Sequence, residues 1–266
     1  MTPVVAQAER LEVAYRQHLV WSDANFRIER GEFVAVIGPN GAGKTTLFRL
    51  LLGLIHPTAG HVEVFGAPPR RGNPKIGYVP QTHLVDRDTN VEAVQLVRLG
   101  FSGHRWLPNV TPAMFRAERD ATEEALRSVG ATELAKKSLG AMSGGELQRI
   151  FLAEALAGHP ELLLLDEPLA NLDLRRAGEL VELVHGLVES RDVATLLVAH
   201  DINPLIRHLD KVIYIANGRV ATGLPHEVLT TESLTELYGV PVEVLHDSRG
   251  NLVIVGGEDS HADAVA

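Results

Sequence analysis

One stretch near the N-terminus constrains this chain more than any other. Phe33-Val34-Ala35-Val36-Ile37 is a continuous apolar run, the pattern of a strand covered on both faces. Gly38-Pro39-Asn40-Gly41-Ala42-Gly43-Lys44-Thr45 follows at once and fits G-x-x-x-x-G-K-[ST] in full. Leu47, Leu50, Leu51 and Leu54 then recur at i, i+3, i+4 and i+7, so a helix is expected, with Gly53 near its C-terminal cap. Glycines at these positions let backbone N–H groups turn inward around phosphate oxygens, and the helix N-terminus adds partial positive charge. Lys44 is then expected to reach the β- and γ-phosphates of a nucleotide, and the Thr45 hydroxyl to bind magnesium. An accidental glycine-rich turn does not bring the strand before it and the helix after it.

The rest of the chain alternates between strand and helix signals. Phe26 and Ile28 interleave with Asn25, Arg27 and Glu29, as in a half-buried strand. Pro57-Thr58-Ala59-Gly60 reads as a turn into a strand at Val62-Glu63-Val64. Over residues 88–160 helix formers dominate, most clearly at 117–129, with Pro108 and Pro112 expected to break the segment before it. Buried-strand runs return at Leu162-Leu163-Leu164-Leu165 and Thr195-Leu196-Leu197-Val198. Val212-Ile213-Tyr214-Ile215 leads to Asn217-Gly218, a short-hairpin signal. One helix is expected over 225–238, then strands at 242–245 and 252–255, then a frayed end over 257–266. The pattern is α/β: a parallel-sheet core, antiparallel strands ahead of it and a helical insert. The expected organisation is a core over 1–87 and 161–223, a helical unit over 88–160, and a C-terminal extension over 224–266.

Two further motifs carry chemistry. Leu162-Leu163-Leu164-Leu165-Asp166-Glu167 is a buried strand ending in two carboxylates. Asp166 is placed to hold magnesium and Glu167 to polarise an attacking water as general base. Ser143-Gly144-Gly145-Glu146 has the spacing of a capping box at the start of a helix. A cap does not need the two glycines, whereas an oxyanion approaching bare backbone amides does.

Together these residues resemble the nucleotide-binding subunit of ATP-binding-cassette transporters, a fold with a P-loop NTPase core, an antiparallel β-subdomain and an inserted α-helical subdomain. The resemblance covers nearly the whole chain. Met142-Ser143-Gly144-Gly145-Glu146 ahead of Leu165-Asp166-Glu167-Pro168 is specific to that superfamily, with Met142 where leucine is usual. It implies ATP and Mg2+ as cofactors. It implies nucleotide contacts from Gly38, Pro39, Asn40, Gly41, Ala42, Gly43, Lys44, Thr45 and Thr46. Tyr15 looks like the aromatic that stacks on adenine. Gln81, after Tyr78-Val79-Pro80, is similar to the glutamine that senses magnesium and the γ-phosphate, so the implied metal set is Thr45, Gln81 and Asp166. His200, in Ala199-His200-Asp201, looks like the switch histidine, so Glu167, His200 and Gln81 form the implied catalytic group. Ala170-Asn171-Leu172-Asp173 looks like the loop that crosses to a partner cassette, with alanine at a serine-like position and Asp173 near the partner's nucleotide. In this family Ser143, Gly144, Gly145 and Glu146 cap the ATP of a second cassette, so a homodimer is implied.

Composition bounds the partners. Acids exceed bases by 34 − 25 = 9, which argues against a chain that coats nucleic acid. No cysteine is present, which removes disulfides, thiolate ligands and a cysteine nucleophile. No apolar run approaches the ~18–20 residues of a spanning helix, and the N-terminus shows no basic leader ahead of an apolar block. The resemblance therefore implies a peripheral place on the cytoplasmic face of a bacterial plasma membrane, a separate permease and an extracytoplasmic substrate-binding protein. Ala199 to Asn203, Ile215 to Arg219 and Leu237 to Val242 look most like cassettes of zinc and manganese uptake systems. Iron-siderophore and cobalamin importers remain an alternative. A chromosome-scaffold or DNA-repair ATPase of the superfamily would need coiled-coil heptads between the two glycine motifs, and none occur there.

Overall fold

Strand order in the central sheet decides which loops can meet. The computed structural model describes residues 2–16, 18–81, 85–103, 111–170, 172–248 and 250–256. In chain order its elements are β1 (Val4–Tyr15), β2 (His18–Glu29), β3 (Phe33–Ile37), α1 (Lys44–Leu51), β4 (Ala59–Val64) and β5 (Ile76–Val79). Next come α2 (Ala93–Ser102), α3 (Pro112–Ser128), α4 (Gly144–Ala157), β6 (Leu162–Asp166), α5 (Leu174–Arg191) and β7 (Ala194–Val198). The chain continues through β8 (Lys211–Ala216), β9 (Arg219–Gly223), α6 (Pro225–Val228), α7 (Thr231–Tyr238), β10 (Val242–His246) and β11 (Leu252–Gly256).

The central sheet runs β5-β6-β7-β3-β8-β9, and all neighbours are parallel except β8 and β9. Strands covered on both faces must be apolar throughout, and β3, β6 and β7 are buried at every position. Their alternate residues feed two cores. Val34, Val36, Leu164 and Leu196 face α1 and the antiparallel β2-β1-β4 sheet. Phe33, Ala35, Leu163 and Leu197 face the side of the helices α2 to α5. The loops after β5, β6, β7 and β3 all leave from the carboxyl edge of the sheet, where open α/β sheets place their ligands.

Several sequence expectations need correction. α1 stops at Leu51, because Gly53 adopts φ +66° and turns the chain away, so Leu54 is exposed rather than a fourth core leucine. Ala59 and Gly60 already belong to β4. Pro112 does not break the segment ahead of 117–129 but opens α3 there: its missing N–H falls in the first turn, and the Thr111 hydroxyl accepts from the Met114 amide at 3.2 Å. Pro108 lies outside the described residues. The helix expected over 225–238 is two, because Thr230 caps a new one by accepting from the Ser233 amide at 3.1 Å. β1 had no clean signal. Its register slips between Ala8 and Leu11, where Arg10 has φ +45°, and a bulge there disrupts the two-residue period. The tail 257–266 lies outside the described residues.

One acid sits at the crossing of α2 and α4. Gly100 lies so close to α4 that any Cβ there would collide with the backbone carbonyl of Glu154. Burial pushes the Glu154 carboxyl up to about 7 from its ordinary 4.5. The folded chain therefore holds a proton where the unfolded chain has lost it, and stability falls as pH rises between about 4.5 and about 7. Glu154→Gln is expected to raise stability at about pH 8 by roughly 2–3 kcal/mol and to flatten that decline. Denaturant unfolding on either side of the window checks it, and parallel profiles for the two proteins contradict it.

Candidate functional site

The loop 38–43 joins β3 to α1. Gly38, Gly41 and Gly43 have φ of +146°, +78° and +100°. A Cβ at Gly38 would collide with the Ile215 carbonyl, and one at Gly43 with Val20 and Trp21. The glycines at these two places are thus demanded by the chain's own packing. Lys44 is buried, and its ammonium donates to the carbonyls of Gly38 (2.7 Å) and Pro39 (3.0 Å). Burial lowers its pKa, opposed by the charges of Glu167 and Asp166. Thr46, the third residue of α1, is buried as well.

Asp166 ends β6 and is 2% exposed. The Thr45 hydroxyl donates to its Oδ1 at 3.4 Å and the Tyr78 hydroxyl to its Oδ2 at 3.5 Å. Burial raises its pKa, the charge of Glu167 adds to that, and Thr45, Tyr78 and Lys44 pull it back. Tyr78 is raised in turn by burial and by Asp166. A buried carboxylate beside a hydroxyl is an oxygen donor set that suits a small hard cation such as Mg2+.

Glu167 has φ +53°, a left-handed conformation that a non-glycine residue holds only at a cost of about 1–3 kcal/mol. Its Oε2 accepts from Gln81 Nε2 at 2.5 Å and lies 2.9 Å from His200 Nε2. Gln81 follows β5, Glu167 follows β6 and His200 follows β7, and these are adjacent strands. Three residues far apart in sequence therefore meet on one carboxylate oxygen.

Ser143 caps α4. The Glu146 amide donates to Ser143 Oγ (3.4 Å), and the Ser143 amide donates to Glu146 Oε2 (2.7 Å). The Lys137 ammonium, with the Ser143 backbone, holds the Glu146 carboxyl below the usual range. A Cβ at Gly144 or Gly145 would meet nothing within 4 Å, and neither has a left-handed φ. Nothing within the chain demands either glycine. Among the described residues no hydrogen bond or ion pair joins 143–146 to residues 38–46 of the loop and the start of α1. Asp173 caps α5 by accepting from the Arg176 amide at 2.9 Å, and Tyr15 stands 42% exposed at the end of β1. Asn171 lies outside the described residues. Two residues escaped the sequence reading. Tyr78 lies three residues before Gln81 and could have been found there. Gln148, whose side-chain amide donates to the Pro168 carbonyl and ties α4 to the segment after Glu167, carried no signal.

The profile of the ABC transporter family matches residues 21–170, more than half of the chain. The chain belongs to this family. The cassette is 34% identical to the zinc import ATP-binding protein ZnuC of Pseudomonas aeruginosa, over 96% of this chain and 91% of that protein. It is 31% identical to the manganese transport system ATP-binding protein MntB of Bacillus subtilis, over 93% of this chain and 96% of that one. The dimeric structure of a bacterial ABC transporter cassette superposes with a TM-score of 0.69 at 25% identity, covering 82% of this chain and 98% of that chain. The α/β core and the ATP-binding character expected from the sequence both stand.

Proposed function

We propose that this cassette hydrolyses ATP to power uptake of a divalent metal ion, zinc or manganese, through a separate permease. The observation that carries the ATPase reading is the meeting of Gln81 and His200 on Glu167, beside the buried Lys44 and Asp166. The cargo is inferred from the zinc and manganese relatives, which match along almost the whole chain.

In this reading the backbone amides of 38–46 cradle the phosphates and Lys44 leaves the Gly38 and Pro39 carbonyls for the β- and γ-oxygens. Tyr15 stacks on the adenine. Thr45, Asp166 and Gln81 hold Mg2+, which supplies charge neutralisation at the phosphates. Glu167 takes a proton from the attacking water, and His200 holds the Glu167 carboxylate in place and faces the γ-phosphate. Ser143, Gly144, Gly145 and Glu146 face the ATP of a second copy, and Asp173 lies near that boundary. Open space where a Cβ would stand at both glycines supports that placement, since a second copy's phosphates could approach the bare backbone. A site completed by two copies ties nucleotide occupancy to closure of a homodimer, and closure moves the permease.

The division of labour follows the chain: 1–87 and 161–223 bind nucleotide, 88–160 presents the signature and meets the permease, and 224–266 is an extension. No helix among the described residues is long and apolar enough to cross a membrane. We place the cassette peripherally, on the cytoplasmic face of the plasma membrane, in a system with an extracytoplasmic binding protein. Deleting the gene is expected to abolish high-affinity uptake of radiolabelled zinc or manganese, with restoration by the intact gene. Unchanged uptake of both, with loss of siderophore or cobalamin uptake, overturns the cargo.

A further inference from the structure

The proposed function gives the C-terminal extension no task, yet one side chain ties it to the switch histidine. Asn203 lies three residues after His200. Its Nδ2 donates to the Leu252 carbonyl at 3.1 Å, and its Oδ1 accepts from the Leu252 amide at 2.7 Å. Nδ2 also donates to Asp201 Oδ1 at 2.8 Å, and that carboxylate oxygen accepts from the Asn203 backbone amide at 2.9 Å, closing a tight turn. The Asn203 amide fits only this way round. A flip would set its oxygen against two acceptors and its nitrogen against a donor.

Leu252 opens β11, which has β10 on one side only. Asn203 meets the open edge as a further strand would, taking one N–H and one C=O. The rest of the hairpin is firmly held. Val242 and Leu252 are buried. Thr235 Oγ1 donates to the Val242 carbonyl and accepts from the Val242 amide, both at 3.1 Å. Thr231 Oγ1 accepts from the Val244 amide at 2.9 Å. The hydroxyls of Tyr238 on α7 and Tyr214 on β8 are 2.9 Å apart, and β8 pairs with β3 in the central sheet. The extension is thus a bracket that runs from the central sheet through α7 and the hairpin to the turn after His200.

The His200 side chain is 48% exposed, so packing alone does not fix its ring, and its direction follows the backbone that carries it. Ile202 anchors that backbone from the core side, and Asn203 anchors it from the side of the extension. We propose that Asn203 is a positioning residue for His200, through which the hairpin β10–β11 holds the ring at its 2.9 Å contact with Glu167. The effect on hydrolysis rests on the role given to His200 under the proposed function, whereas the placing of the ring does not.

The test compares full-length His200→Ala, Asn203→Ala, the double variant and Thr235→Val. Thr235→Val removes a similar pair of hydrogen bonds from the same hairpin but leaves Asn203 and Leu252 joined, so it controls for lost stability. Melting curves confirm that each variant is folded. Asn203→Ala is expected to lower kcat about 10-fold with the KM for ATP unchanged, less than the roughly 100-fold of a full 1 Å misplacement because Ile202 still anchors the turn. The double variant should be no slower than His200→Ala, and Thr235→Val should keep the parent's kcat. The ring resonances of His200, assigned by their loss in His200→Ala, should shift or broaden in Asn203→Ala and stay in place in Thr235→Val. Unmoved His200 resonances in Asn203→Ala, or a double variant slower than His200→Ala by the full Asn203→Ala factor, overturn the proposal. Displaced resonances in Asn203→Ala, with His200→Ala hydrolysing ATP at the parent's rate, support the placing of the ring and refute the role given to His200 instead, so the two failures are separable.

Discussion

Glu167→Gln is expected to lower ATP hydrolysis by roughly 10²–10⁴-fold while leaving ATP binding intact. Glutamine has nearly the same shape and keeps a carbonyl oxygen that can accept from Gln81 and His200 where Glu167 Oε2 now does. The positive φ at 167 is met by the same backbone, so the local geometry stays. What is lost is the ability to take a proton from water. The substitution also removes one negative charge. Glu167 is among the causes that raise the Asp166 pKa, so Asp166 becomes easier to ionise without it. Nucleotide binding should therefore not suffer, and an ATP-closed dimer should accumulate because the step that opens it is slow. Phosphate release measures the first effect, and size-exclusion chromatography in ATP the second. Near-normal turnover refutes the role.

Gly145→Ala is expected to separate stability from activity. Gly145 is the second residue of α4. Alanine there restricts the unfolded chain and suits a helix, which should stabilise the isolated cassette by about 0.5–1 kcal/mol. The added methyl meets nothing within 4 Å in the chain itself. If a second copy's phosphates pack against this bare backbone, the same methyl displaces them, and a misplacement of about 1 Å costs on the order of 100-fold in rate. The expected result is a higher melting midpoint together with a 10- to 100-fold loss of hydrolysis, an order set by that same geometry. A raised midpoint with full activity shows that Gly145 does not face a partner's nucleotide. Gly38→Ala is no substitute in this test, because there the methyl collides with the Ile215 carbonyl inside the chain.

The sequence by itself determined the parts whose chemistry is contiguous. The phosphate loop, the Asp166-Glu167 strand end and the Ser143-Glu146 cap each occupy a few consecutive residues, and local spacing dictates their conformation. The buried strands were legible for a related reason, since burial on both faces leaves only apolar side chains. Legibility failed where a local signal depends on distant packing. The bulge near Arg10 hid β1, and Pro112 reads as a breaker until Thr111 is seen to cap the helix behind it. Only the tertiary structure decided that Gln81, Glu167 and His200 share one oxygen, because that follows from β5, β6 and β7 being neighbours. Strand order is a choice among long crossover connections, and no short-range spacing records it. The same holds for Asn203 and Leu252, which lie 49 residues apart and meet only when the C-terminal hairpin folds against the turn after His200.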